Sequence, residues 1–288
     1  MFMKYLLSLF IFLLISSSAE ADKVTLLSDD ANDLELFYKD GRNDIASDSY
    51  RLLFENLKNV KFELKIAPTA RIDALLKQDK TICAVNRIKT EERQLYNLYS
   101  HPVHLYPSHR LYYFKGRTPL LDNMLTENGE LISLNTLFNY YSMASLAIET
   151  GRSYGKGLDK QIKLLKNENL LARAGSDAYD AMIKLFARHR VDFLISYPTI
   201  FKQYYAEDDT DITSVTINNH PKFIAGHIAC SSTPRSKKII AEVNKTLLRL
   251  YPLEPYLSMH LHHVPNTEQS LLTRRISDLF LKYKLLSD

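Results

Sequence analysis

The sequence predicts an α/β protein of two lobes, each a sheet flanked by crossover helices, and three observations carry that expectation. Short apolar runs alternate with helical stretches between residues 23 and 86. The alternation returns between residues 134 and 195, after a β-rich crossing. Of 288 residues, about 267 remain once an N-terminal leader is set aside, which suits two lobes of ordinary size.

In the first stretch Val24 to Leu27 reads as a strand, and Tyr50, Leu53, Phe54 and Leu57 form one face of a helix. Phe62, Leu64 and Ile66 alternate as a half-buried strand, Thr69 to Gln78 follows Pro68 as a short helix, and Ile82 to Val85 is the next strand. Arg110 to Phe114 opens the crossing. Beyond it, helices are expected at 134–141 and 158–165, with strands at 145–149 and 170–174. Tyr179, Met182, Ile183 and Phe186 make a further helical face ahead of a buried strand at 191–195. His227 to Cys230 reads as a strand, Ser236 to Tyr251 as a helix with Ile239, Ile240, Val243, Leu247 and Leu250 inward, and Leu271 to Leu285 as a last helix. The expected division is 22–112 and 223–288 for the first lobe and 113–222 for the second.

The N-terminus addresses the chain outward. Lys4 precedes an apolar run from Leu6 to Ile15, and Ala19-Glu20-Ala21 is a small-residue cleavage site, so residues 1–21 read as a signal peptide and the mature chain as starting at Asp22. The run is short for a membrane span, and no Cys follows it for a lipid anchor. Removing Lys4 and Glu20 leaves the formal charge at +4. Charges of both signs are dispersed without a Lys/Arg block, which speaks against a nucleic-acid partner. A soluble, monomeric periplasmic protein without cofactor or metal is the resulting expectation.

Thr90-Glu91-Glu92-Arg93 follows the strand at 82–85 and precedes Tyr99-Ser100-His101-Pro102. Thr90 can cap a helical turn with Glu91 and Glu92 in its first positions, while Arg93 offers a planar fork suited to a carboxylate. Arg93 could equally pair with a nearby surface acid. Asn86 and Arg87 stand where that strand turns polar. Gly151-Arg152-Ser153-Tyr154-Gly155-Lys156-Gly157 is not a P-loop: its spacing differs and no Ser or Thr follows the Lys. It reads as a strand-to-helix turn, either with amides free to hold an anion or as a plain turn with a Ser cap.

The Thr-x-Glu-Arg and Tyr-Ser-x-Pro strings resemble the Thr-x-Glu-Arg…Phe-Ser-x-Pro segment of family 3 extracellular solute-binding proteins, two-lobed periplasmic receptors for amino acids and similar solutes. The resemblance implies a periplasmic binding protein type II fold, two Rossmann-like lobes joined by a two-strand hinge. It implies that Arg93 binds a ligand carboxylate, and that Ser153 and Tyr154 meet the ligand from the second lobe. Pro68-Thr69-Ala70-Arg71 is similar to a Pro-x-x-Arg of one subgroup and makes Arg71 a second candidate. Tyr38 is expected to stack on the ligand and Tyr197 to hydrogen-bond to it. Two departures matter. Tyr197 stands where amino-acid receptors carry an ammonium-binding Asp, and Asn86-Arg87-Ile88 replaces Gly-x-Thr. A standard α-amino acid is thereby in doubt, and Arg87, if inward, would favour an acidic ligand. The resemblance also sets the strand containing Cys230 beside the one containing Cys83, as a disulfide or as two buried thiols.

An ABC permease or a membrane sensor is the implied partner. A receptor-like interaction module without a small ligand, or a periplasmic enzyme, is the alternative. No Gly-x-Ser-x-Gly or His-Glu-x-x-His string supports an enzyme. His260-x-His262-His263 reads as a loop or helix-end surface, His101, His104 and His109 as surface or hinge residues, and Asp29-Asp30 and Asp208-Asp209 as solvated loop acids.

Overall fold

The structure, a computed structural model, describes residues 23–39, 44–205 and 210–286. The expected leader and the Asp208-Asp209 pair lie outside the described residues.

The first lobe begins with β1 (Lys23–Ser28), α1 (Asp33–Leu36), α2 (Ile45–Asn56), β2 (Lys61–Ile66) and α3 (Thr69–Leu76). It continues through β3 (Cys83–Arg87), α4 (Glu91–Gln94), β4 (Asn97–Tyr99) and β5 (His104–Pro107). Asp44 starts α2 by accepting from the amides of Ala46 and Ser47, and the helix then buries Tyr50 and Leu53. Thr90 starts α4 in the same manner, accepting from the Arg93 amide. Strands β2, β1 and β3 are parallel neighbours, as crossover helices demand.

The second lobe holds β6 (Arg110–Phe114), α5 (Leu134–Tyr140), β7 (Leu146–Glu149), α6 (Lys156–Lys163) and β8 (Leu170–Arg173), then α7 (Ala178–Ala187), β9 (Phe193–Ser196), α8 (Pro198–Tyr204) and β10 (Ile212–Val215). Its sheet runs β10-β6-β9-β7-β8. The chain then returns through β11 (Phe223–Ser231) to the first lobe and ends in α9 (Pro234–Leu250), α10 (Glu254–His262) and α11 (Asn266–Leu285). Because β6 pairs wholly within the second sheet, we place the first crossing at Ser108–His109, before the boundary expected after residue 112.

Strand β11 ties the first lobe together. Its first half pairs antiparallel with β5, Phe223 opposite Pro107 through Gly226 opposite His104, and its second half with β3 and β4. Gly226 is required there, since a Cβ would collide with the His104 ring. Cys83 and Cys230, opposite each other on β3 and β11, form a disulfide. Between His227 and Ala229 the β3–β11 register shifts, so β3 carries one residue more than its partner, and within that bulge Asn86 has φ +55°. The strand expected to end at Val85 thus continues to Arg87.

The histidines differ from expectation. His260 lies on α10 and is fully buried; His104 and His109 sit at the hinge but are buried too. His260 Nδ1 donates to the Tyr256 carbonyl at 2.8 Å, and Nε2 accepts from the Leu105 amide of β5 at 3.2 Å. Both ring nitrogens are therefore engaged in holding the hinge strand, which leaves none for a metal. Among the described residues no helix is long and apolar enough to cross a membrane.

Two outcomes follow. The disulfide closes a loop between residues 147 apart, so Cys83→Ala with Cys230→Ala should lower denaturant-measured stability by about 2–5 kcal/mol. Burial pushes His260 and His227 down to about 4. Between that value and the usual ~6.5 the unfolded chain holds protons that the folded chain does not, so stability is full above pH ~6.5 and falls toward pH 4. In urea titrations at pH 7 and pH 5, His260→Gln should shrink the acid-induced loss by about 2 kcal/mol; an unchanged loss would remove His260 from the account.

Candidate functional site

The residues that follow β1, β2 and β3 face those that follow β7 and β9, the place where ligands of such sheets collect. Asp29, Thr69, Arg87, Arg152 and Tyr197 line one narrow cavity there. Arg152 crosses from the second lobe and donates through Nη2 to Asp29 Oδ2 of the first at 2.9 Å. Its Nε donates to Glu149, and its guanidinium lies 4.3 Å over the Tyr179 ring. The Thr69 hydroxyl oxygen lies 2.6 Å from Asp29 Oδ2 and 2.5 Å from Glu149 Oε1. Burial raises Glu149, whereas at Asp29 the charges of Arg152 and Arg87 outweigh burial and hold the carboxylate below its usual range. The Thr69 hydroxyl can donate to only one of the two carboxyls, and Asp29, the one held low, is the better acceptor.

Asp73 of α3 meets two arginines. Arg87, buried beneath the bulge, donates to Asp73 Oδ1 and lies 3.8 Å from Asp29. Arg93 donates to Asp73 Oδ2 at 3.0 Å and to the Gly151 carbonyl of the second lobe at 2.9 Å. Gly151, at φ +82°, brings its backbone so close to α3 that a Cβ would sit 3.4 Å from the Ala70 backbone. Farther out, the Ala31 amide donates to Ser176 O at 3.1 Å, the Tyr204 hydroxyl to Asp30 at 3.1 Å, and Lys156 to Glu91 at 2.8 Å. The lobes are closed, and a hydrophilic seam holds them.

Behind the seam lies a cavity of about 40 Å³, room for a few waters, lined by Asp29, Asp30, Asp33, Asp44 and Arg152 together with aromatic and apolar side chains. Asp44 is committed to capping α2 and to the Tyr106 hydroxyl. Asp33 accepts from Ser28, yet burial and the charge of Asp30 push it well above the usual range. Asn86 Oδ1 and His104 Nδ1, of residues that line this cavity, have no hydrogen-bond partner among the described residues. In front of the seam a groove of about 840 Å³ opens between α3, α4 and α6.

The candidate residues divide accordingly. Arg93, Ser153 and Tyr154 line the outer groove, Asn86 and Tyr197 the inner cavity, and Arg87 the seam. Arg71 is exposed on α3, and Tyr38, 57% exposed beyond α1, lines none of these spaces. Ser153 Oγ donates to Asp159 at 2.6 Å, and Tyr154 donates its amide to Asp159 at 2.6 Å while its hydroxyl accepts from the Glu149 amide. Those contacts shape the turn, although the N-cap of α6 is Gly155 and not Ser153. Tyr197 stacks on His109 at 3.9 Å. Asp29 and Asp30 are not solvated loop acids: Asp29 is 6% exposed and Asp30 half-buried. Sequence reading set Ser28 to Asp30 and Ala67 to Arg71 beside the cleft at strand ends but gave Asp29 and Thr69 no role there, and it passed over Asp33, Asp73, Glu149 and Arg152. Glu149 and Arg152 end or closely follow a strand, a positional signal that Asp33 and Asp73 lack.

No protein-family model and no curated sequence matches the chain. Solved structures do. One comes from work on glutathione import via GshT and the cystine ABC importer TcyBC of Streptococcus mutans: TM-score 0.60, 16% identity, 87% of this chain and 100% of that one. An arginine-binding protein of T. maritima matches with TM-score 0.59 and 14% identity over 84% and 94% of the two chains. A histidine kinase sensor domain with similarity to periplasmic binding proteins matches with TM-score 0.60 and 12% identity over 84% and 96%. The likeness is one of fold: the protein has the two-lobed type II periplasmic binding fold.

Removing one member of a buried ion pair costs about 3–5 kcal/mol when the other stays buried. Were the lobes to part, Asp29 would be rehydrated and the cost capped at that of opening. Arg152→Leu should therefore enlarge the radius of gyration in X-ray scattering while changing the unfolding midpoint little. A compact variant with a strongly lowered midpoint would mean that the lobes cannot separate.

Proposed function

We propose that this fold serves here as a periplasmic solute-binding protein, one that closes its lobes over a small polar solute whose cationic end sits against Asp30 and Asp33. The observation that carries the reading is the charge of the inner cavity. Four carboxyl groups line it against one guanidinium, and Arg152 already has Asp29 and Glu149 as partners. Burial raises both Asp30 and Asp33, and a cation beside them would offset that burial. The solved proteins of this fold include ones described as bound to arginine, to histidine and to glutamine, all of which carry an ammonium group.

The expected carboxylate clamp is set differently. Arg87 and Arg93 are both engaged by Asp73 in the closed state. A solute carboxylate would have to displace Asp73 from Arg93 at the seam; a purely cationic solute needs no such exchange. Closure by hinge motion then turns binding into a shape that a permease or a membrane sensor can distinguish, and similar structures of both kinds exist. The cleft holds paired charges and a capped turn rather than a nucleophile with its base, so we assign it no catalysis.

One observation favours a second reading. Most charged groups of the seam, Arg87 Nε apart, are met by the protein's own groups, as in an interaction module that closes without solute.

Thermal shift of refolded protein against arginine, lysine, putrescine, glutamate, succinate and glucose separates the possibilities. Arginine or putrescine at about 100 times its dissociation constant should add ~2.7 kcal/mol of stability, and Asp33→Asn should abolish the gain. A response confined to glutamate and succinate and lost in Arg93→Ala would restore an anionic ligand. No response to any compound, with scattering showing a closed molecule throughout, would favour the interaction module.

A further inference from the structure

A guanidinium is recognised along its edges by carboxylates and on its face by an aromatic ring. Arg152, on the turn between β7 and α6, is held in all of these ways at once. Nη2 donates to Asp29 at 2.9 Å, Nε donates to Glu149, and the guanidinium carbon lies 4.3 Å from the centre of the Tyr179 ring of α7. The side chain is 10% exposed. Glu149 and Tyr179 belong to the second lobe and Asp29 to the first, so one lobe carries the head and the other covers it. Hinge closure encloses a ligand in that manner, and here the enclosed group belongs to the chain.

Two features set this arrangement apart from an ordinary ion pair between lobes. Arg152 is a wall shared by the inner cavity and the outer groove, and with it in place the inner cavity measures about 40 Å³. Small-molecule sites run to roughly 300–1,000 Å³, so no solute of amino-acid size fits there beside the seated side chain. The seat is also buried: Asp29 is 6% and Glu149 2% exposed. Without the Arg152 head these two acids would be left with Arg87, 3.8 Å from Asp29, as a partial counter-charge. A vacated seat of that kind favours another planar cation. Lys156 and Glu91 also join the lobes, but their side chains are exposed, where pairing contributes little.

We propose that Arg152 is a tethered internal ligand, whose guanidinium occupies a seat shaped for that group between the lobes and keeps them shut without a solute. A free guanidinium compound competes for the seat, and its apparent affinity is reduced by the fraction of molecules in which Arg152 has left. The seat is formed by Asp29, Glu149 and Tyr179, so its occupant does not depend on which solute meets Asp30 and Asp33.

Isothermal titration and X-ray scattering on the full mature chain compare the unaltered protein with Arg152→Ala. Methylguanidine at millimolar concentration is the probe, with methylammonium supplying the charge alone and urea the planar shape alone. Methylguanidine should bind Arg152→Ala saturably and at least about ten-fold more tightly than the unaltered protein. The radius of gyration, enlarged by the substitution, should return toward its original value as the probe binds. Methylammonium and urea should bring neither change, and Lys156→Ala should alter neither radius nor affinity. The proposal is overturned if Arg152→Ala is as compact as the unaltered protein, if it binds methylguanidine no better, or if methylammonium restores closure equally, which reduces Arg152 to a generic charge. Asp29→Asn leaves Arg152 in place and gives an independent reading should Arg152→Ala fold poorly: an enlarged radius is expected, and an unchanged one overturns the internal-ligand role.

Discussion

Arg152 reaching across to Asp29 is the contact on which the closed arrangement rests. A guanidinium and a carboxylate removed from water need each other and need their remaining hydrogen bonds filled. Thr69 donates to Asp29 and Glu149 accepts from Arg152, Tyr179 packs its ring under the guanidinium, and Arg87, held by Asp73, adds a second positive charge near Asp29. The seam between the lobes is thus a polar network, and its register is set by geometry rather than by apolar area. Such a seam would suit a device that opens, since the groups that cross it, Arg152 to Asp29 and Arg93 to the Gly151 carbonyl, are polar and would be hydrated on parting.

The hinge shows the opposite economy. Here β5 and β11 are packed with little tolerance, through His104 against Gly226, His260 against the β5 backbone, and a disulfide between β3 and β11. A rigid pivot and a polar seam would be complementary in a protein that opens, with the change confined to the crossings at Ser108–His109 and near His220. The inner cavity is acidic, four carboxyl groups against one guanidinium.

Much of the fold was legible because apolar periodicity survives in the strands and long helices: Tyr50 and Leu53, Ile239 to Leu250, and Met182 to Phe186 are all inward where the spacing placed them. Strands β4 and β5 and helix α10 were not foreseen. The two strands are three and four residues long, too short to show a period, and α10 has apolar and polar residues on all sides. The site was less legible. Arg93 and the Thr90 cap stand out from local sequence, but Asp73, twenty residues earlier on another element, neutralises Arg93 and cannot be seen from the string. The inward turn of Arg87 depends on one extra residue in β3, and a bulge shifts the alternation that strand reading relies on.

What the sequence determined by itself was the α/β alternation in two runs, the capped turn at Thr90, and the two cysteines that could pair, because each is encoded within a few neighbouring residues or in simple composition. Only the tertiary structure decided the sign of the cleft and the partners of its arginines. Those depend on which strand ends face one another across a hinge, and a Coulomb interaction is governed by that distance in space, to which separation along the chain is no guide.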